Sequence, residues 1–89
     1  MRLYFIHMQG CGACEAAKPE LKKFQKRHPE IEVQPIDLLE AKWVHPWQPG
    51  LTPTYVVEEP GRVRVRWEGM LKADQLEQLL DRAREMMGL

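Results

Sequence analysis

Gly10-Cys11-Gly12-Ala13-Cys14 holds both cysteines of the chain, two residues apart, directly behind the apolar run Leu3-Tyr4-Phe5-Ile6. A helical spacing of apolar residues starts at the second cysteine and runs through Ala17, Leu21 and Phe24. The reactive form of cysteine is the thiolate, and the unpaired N–H groups at a helix N-terminus stabilise an anion placed there. Cys11 is therefore expected at the tip of the helix. Cys14 is expected one turn further in, near enough to bond to Cys11 and too buried to react first. Gly12 and Ala13 are small, so the turn can be tight and the outer sulfur approachable. A CxxC between a strand and a helix reads as a redox-active pair.

The bulk properties narrow the surroundings. Eighty-nine residues suffice for one domain spanning residues 1–89. Formal charge sums to zero, so there is no electrostatic case for a nucleic acid or an anionic membrane as partner. No apolar run approaches the ~20 residues that span a bilayer. Met1-Arg2-Leu3 leads into a short apolar segment without a small-residue cleavage site, so no signal peptide is expected. The expected compartment is the cytoplasm. A lone CxxC is there catalytic or metal-binding rather than a structural staple.

Read in order, Leu3–Ile6 is a strand buried on both faces. His7 reads as a loop histidine, with proton transfer to Cys11 as the alternative. Met8 reads as packing, or as an apolar contact for a partner. The first helix is expected from about Cys14 to Lys26, with Pro19 inside it as a kink. Lys18 is a solvated helix lysine or a weak stabiliser of the thiolate, and Glu15 would act the other way. His28 sits at the helix end, favourable to the dipole. Ile31, Val33 and Ile36 mark a second strand ending at Asp37. Leu38–Val44 is compatible with a short helix, which His45-Pro46 would end. Trp43 and Trp47 read as packing residues, with a place beside the site as the alternative. A third strand covers Tyr55–Glu58, and Glu59-Pro60-Gly61-Arg62 suits a type II turn. In the fourth strand Val63, Val65 and Trp67 alternate with Arg62, Arg64 and Arg66, one face packing and the other a solvated row that protects an edge strand, with attraction of an acidic partner as the alternative. The last helix is expected over Ala73–Met87, with Leu76, Leu79, Leu80, Ala83 and Met87 inward. Lys72 stands where a capping Ser or Asp would be preferred.

The order is thus β-α-β-α-β-β-α: an α/β fold with a four-stranded mixed sheet flanked by helices on both faces. The first two strands are expected to be parallel and the last two an antiparallel hairpin. This order, with CGAC after the first strand, resembles the thioredoxin fold in its short, glutaredoxin-like form. Four features carry the resemblance: Cys11-Gly12-Ala13-Cys14; Pro19, where thioredoxins have a kinking proline; Thr52-Pro53-Thr54, similar to the family's cis-proline loop; and Gly69, similar to the glycine before the final helix. The chain also departs from the pattern. Gly10 stands where thioredoxins have a tryptophan, and Phe5 where they have a buried acid.

The resemblance implies a protein-disulfide oxidoreductase. Cys11 and Cys14 would be catalytic, with Thr52, a cis Pro53 and Gly69 lining the substrate site. It would act as a reductant of protein disulfides, with a thioredoxin-reductase-like enzyme or a low-molecular-weight thiol as electron donor. No cofactor beyond the Cys11–Cys14 pair and no metal is called for, and a monomer is expected. Two other readings stand beside it. One is a thioredoxin-like adaptor that docks a partner without turnover. The other is a CxxC metal carrier, with His7 or His45 as a further ligand.

Overall fold

The computed structural model describes residues 1–40, 50–59 and 62–86. Four strands, β1 (Arg2–His7), β2 (Glu32–Asp37), β3 (Thr54–Glu58) and β4 (Val63–Glu68), form one sheet in the order β2-β1-β3-β4. β1 runs parallel to β2 and antiparallel to β3, and β3 runs antiparallel to β4. Two helices, α1 (Gly12–Arg27) and α2 (Ala73–Met86), accompany it.

Strand position explains strand composition. β1 and β3 are central, and Leu3–Ile6 and Thr54–Val57 are buried without interruption. β2 lies at an edge, where Pro35 costs no ladder bond on its open side. β4 forms the other edge. Its inward-reading residues are correspondingly less covered than their alternation predicts: Val63 is 40% exposed and Trp67 45%. The β3–β4 register also slips by one residue between Val57 and Glu58.

The two faces of the sheet differ. Leu3, Phe5, Tyr55 and Val57 point to one side, where Ala17, Leu21 and Phe24 of α1 and Leu76, Leu79, Leu80 and Ala83 of α2 complete the main core. Both described helices therefore share one face. On the opposite face Tyr4, Ile6 and Val56 form a smaller cluster, with Ile36 and Leu38 packed against it. Leu38–Glu40, where the expected middle helix would begin, form a turn. The rest of that helix lies outside the described residues, as do Trp43, Trp47, the Pro60-Gly61 centre of the expected turn, and Met87. No described helix is long and apolar enough to cross a membrane.

α1 buries Cys14, Ala17, Leu21 and Phe24, the set its spacing predicts, and continues through the exposed Pro19. Its start lies two residues earlier than expected, because its cap is a sulfur atom. α2 has no side chain of its own at Lys72 to cap it. Instead Glu20 of α1 reaches across, and the Ala73 N–H donates to its Oε1 at 2.9 Å, while the Lys72 N–H donates to Gln75 Oε1 at 2.8 Å. Lys23, then the Ala73 N–H, hold the Glu20 carboxyl below its usual range. Glu20→Ala is expected to lower the melting midpoint by about 4 °C, as the loss of a helix cap does in a domain of this size. Glu20→Gln, which keeps an acceptor oxygen, should lose less. An unchanged midpoint in the alanine variant would refute the cross-helix cap.

The C-terminal end of α1 is joined by charge to the first turns of α2. His28 caps α1 through its own N–H, which donates to the Phe24 carbonyl at 3.0 Å. Its ring meets Glu77 of α2 at 2.7 Å and Glu30 at 3.2 Å. Arg27 lies 3.0 Å from Asp74 and 3.8 Å from Glu77, and Arg84 lies 3.8 Å from Glu30. The hydrogen bond to Glu77, chiefly, raises the His28 pKa, against the opposing pull of burial. A raised folded-state pKa means that protonated His28 favours the fold. That contribution is complete below the unfolded value of about 6.5 and is lost as pH rises through the folded value. Between pH 6 and 8 the wild-type melting midpoint should therefore fall relative to that of His28→Gln. Parallel curves would contradict this.

Candidate active site

Strand β1 ends at His7, and the chain turns at once into α1. The Cys11 N–H donates to the Met8 carbonyl at 3.3 Å, closing the turn, and Gly10 adopts φ +80°, a left-handed conformation that a side chain would strain. Cys11 itself is extended, with φ −93° and ψ 104°, as an N-cap residue requires. Its carbonyl accepts the Glu15 N–H at 3.2 Å, and its Sγ accepts the Cys14 N–H at 3.1 Å. The sulfur takes the place that a serine oxygen holds in an ordinary capped helix. It therefore sits on the positive end of the helix dipole, with a donor already aimed at it.

Cys11 and Cys14 are joined in a disulfide. Their surroundings are unequal. Cys11 is half-buried, between the exposed residues Gly10 and Gly12, whereas Cys14 is 1% exposed and packed within the inward face of α1. An approaching sulfur can reach the first and not the second.

A second segment converges on the same atom. Thr52 precedes Pro53, and the bond between them is cis. The Thr52 hydroxyl donates to Cys11 Sγ at 3.4 Å, and the Thr52 carbonyl lies 3.6 Å from it, an acceptor for the reduced S–H. Pro53 is fully buried. Its carbonyl accepts the N–H of Gly69 at 2.8 Å, and Gly69 has φ +115°, so the glycine is needed for its backbone shape. Cys11, Thr52, Pro53 and Gly69 are thus linked in one chain of contacts running from α1 to the end of β4.

Other residues considered from the sequence take lesser places. His7 is half-buried and stacks on Phe5 with ring centroids 5.7 Å apart. Lys18 bonds to Glu15 at 3.0 Å on the exposed side of α1. Among the described residues, no group of three or more His, Cys, Asp or Glu is placed to hold a metal ion. One residue was not singled out at all. Glu68, at the end of β4, accepts the N–H of Gly50 at 2.8 Å and so touches the segment that carries Thr52. No local signal marks it, since the contact depends on how β4 pairs with β3.

No family model and no curated protein matches the sequence. Its fold does match solved structures. The chain is similar to thioredoxin from Fasciola hepatica, at 21% identity and a TM-score of 0.80 over 91% of this chain and 79% of that one. It is similar to the oxidised form of mitochondrial thioredoxin 3 from Saccharomyces cerevisiae, at 18% identity and a TM-score of 0.80 over 90% and 76%. Thioredoxin 1 of the thermophilic eubacterium Thermosipho africanus matches over the full length of both chains, at 18% identity and a TM-score of 0.71. With this mixed sheet, these two helices and a disulfide-bonded CxxC at the head of the first of them, the chain has the thioredoxin fold.

Proposed function

We propose that the protein is a thiol–disulfide oxidoreductase that reduces disulfides in other proteins. The observation that carries this reading is the capping of α1 by Cys11 Sγ. A sulfur held at a helix N-terminus is favoured as a thiolate, both as attacking group and as leaving group.

In the reducing direction the Cys11 thiolate attacks one sulfur of a substrate disulfide. That disulfide breaks, its other sulfur departs as a thiolate that takes up a proton, and Cys11 is left in a mixed disulfide. Cys14 then gives up its proton and attacks Cys11 Sγ. The mixed disulfide breaks, the second substrate thiol is released, and the Cys11–Cys14 bridge forms. Two electrons have passed from the protein to the substrate. In the second step the leaving thiolate is the substrate's. When a dithiol donor attacks Cys11 Sγ, the bridge breaks and Cys14 departs and takes up a proton. The donor's second thiol then attacks the donor sulfur bound to Cys11. Cys11 departs as the thiolate, and the Cys14 N–H and Thr52 hydroxyl are the groups that receive its charge. A reductase enzyme or a low-molecular-weight thiol supplies these electrons. The Thr52 backbone beside the sulfur serves to pair with an extended segment of substrate. Reduction of insulin with dithiothreitol as donor tests the reading. The protein should accelerate precipitation of the insulin B chain in catalytic amounts, and a rate equal to that of dithiothreitol alone would refute it.

A further inference from the structure

Glu68 ends β4 opposite Thr54, at the pair that closes the β3–β4 ladder beside the cis bond. Its carboxylate is turned back onto the chain just ahead of that bond. Oε1 accepts the Gly50 N–H at 2.8 Å, and the backbone of Leu51 bonds to the same carboxylate. Arg66, on the same strand, lies 3.4 Å from Oε1. The Gly50 N–H, first among these, holds the carboxyl below its usual range, as expected where backbone donors meet an ionised group. The next residue, Gly69, binds the Pro53 carbonyl at 2.8 Å. Glu68, the last residue of β4, and Gly69 directly after it therefore grip the 50–53 segment from both ends. Between the two grips lies Thr52, with its hydroxyl 3.4 Å from Cys11 Sγ.

We propose that Glu68 is a positioning residue for the sulfur chemistry: its carboxylate fixes the backbone at Gly50 and Leu51, and thereby holds the Thr52 hydroxyl against Cys11. The proposal rests on Cys11 being the attacking thiol. Glu68 bonds to backbone N–H groups and not to the sulfur, so its influence passes through Thr52. As a charge acting through space it would do the opposite, since a carboxylate near a thiolate disfavours the thiolate. The two modes of action thus differ in sign.

The test is the pH profile of iodoacetamide alkylation of the fully reduced protein, with Cys11 and Cys14 resolved by mass spectrometry. It is run on wild type, Glu68→Ala, Glu68→Gln, Thr52→Val, and Glu68→Ala combined with Thr52→Val. Glu68→Ala should raise the midpoint for Cys11 by about half a pH unit, slowing alkylation at pH 6 roughly threefold. Glu68→Gln keeps an acceptor oxygen for Gly50 and should stay near wild type. In the Thr52→Val background the alanine change should have no further effect, because the group it positions is gone. The proposal is overturned if both Glu68 variants lower the midpoint alike, if Glu68→Ala leaves it unmoved, or if the alanine effect persists in full without the Thr52 hydroxyl. Should Glu68→Ala fail to fold, Glu68→Gln decides: a wild-type midpoint supports positioning, and a lowered one overturns it. Wild type guards the premise. Equal alkylation of its two thiols would refute the attacking role of Cys11, whereas selective alkylation with an unresponsive Glu68 series would refute the positioning role alone.

Discussion

Cys11→Ser should abolish turnover, and Cys14→Ser should stop it one step later, with the substrate still attached. The two outcomes follow from the unequal places of the two sulfurs. Cys11 is half-buried at the helix tip with the Cys14 N–H and the Thr52 hydroxyl directed at it. A serine there leaves no sulfur to form the first bond, so no mixed disulfide appears and the insulin rate falls to that of the donor alone. Cys14 is 1% exposed and is placed to bond to the Cys11 sulfur. With serine at that position Cys11 still attacks, but nothing inside the protein resolves the product. A covalent adduct should accumulate on non-reducing gels and disappear with excess dithiothreitol. Stable adducts from Cys11→Ser, or full turnover by Cys14→Ser, would reverse the assignment.

Phe24→Ala should cost the fold most of its margin. Phe24 is 2% exposed in the main core, among Ala17 and Leu21 of its own helix and Leu76, Leu79 and Leu80 of α2, and its ring lies 4.9 Å from that of His28. Truncating a buried phenylalanine typically costs about 3–5 kcal/mol. Domain stabilities run at roughly 0.05–0.15 kcal/mol per residue, so a chain of this length starts from only about 4–13 kcal/mol. Urea titration should show a much lower midpoint with an unchanged slope. A loss below about 1 kcal/mol would mean that α1 and α2 are not held together through this ring. Phe24 lies in the last turns of α1, far along the helix from Cys11, so any variant that remains folded should keep its preference for alkylation at Cys11.

What could be read from the sequence depended on the range over which each feature is decided. The inner face of α1 was legible because helical spacing is a local property. Cys14, Ala17, Leu21 and Phe24 occupy it as expected. β1 was legible because an unbroken apolar run fits only a central strand. The pairing directions followed from connection lengths. The start of α1 was misjudged by two residues because cysteine is not among the usual capping residues, and its role as a cap shows only in the geometry of its sulfur. The arginine row of β4 marks it as an edge strand, which it is, yet the alternation of Val63, Val65 and Trp67 does not show how little covers the inward face there, and Trp67 is nearly half exposed. The Glu20 cap on Ala73 and the Glu68 contact with Gly50 span 53 and 18 residues. Both arise only when separate elements dock. The residues that make a thiol reactive were thus visible in one short stretch, while the residue proposed to hold the second half of the site in place was not.

The most direct check is the alkylation profile of the reduced wild-type protein across pH 4–10, read separately for each thiol. The account predicts that Cys11 reacts first at every pH, with a midpoint below the value of about 8.5 for an unperturbed cysteine, while Cys14 stays protected. Two thiols of equal reactivity, or a Cys11 midpoint at or above that of a free cysteine, would contradict it.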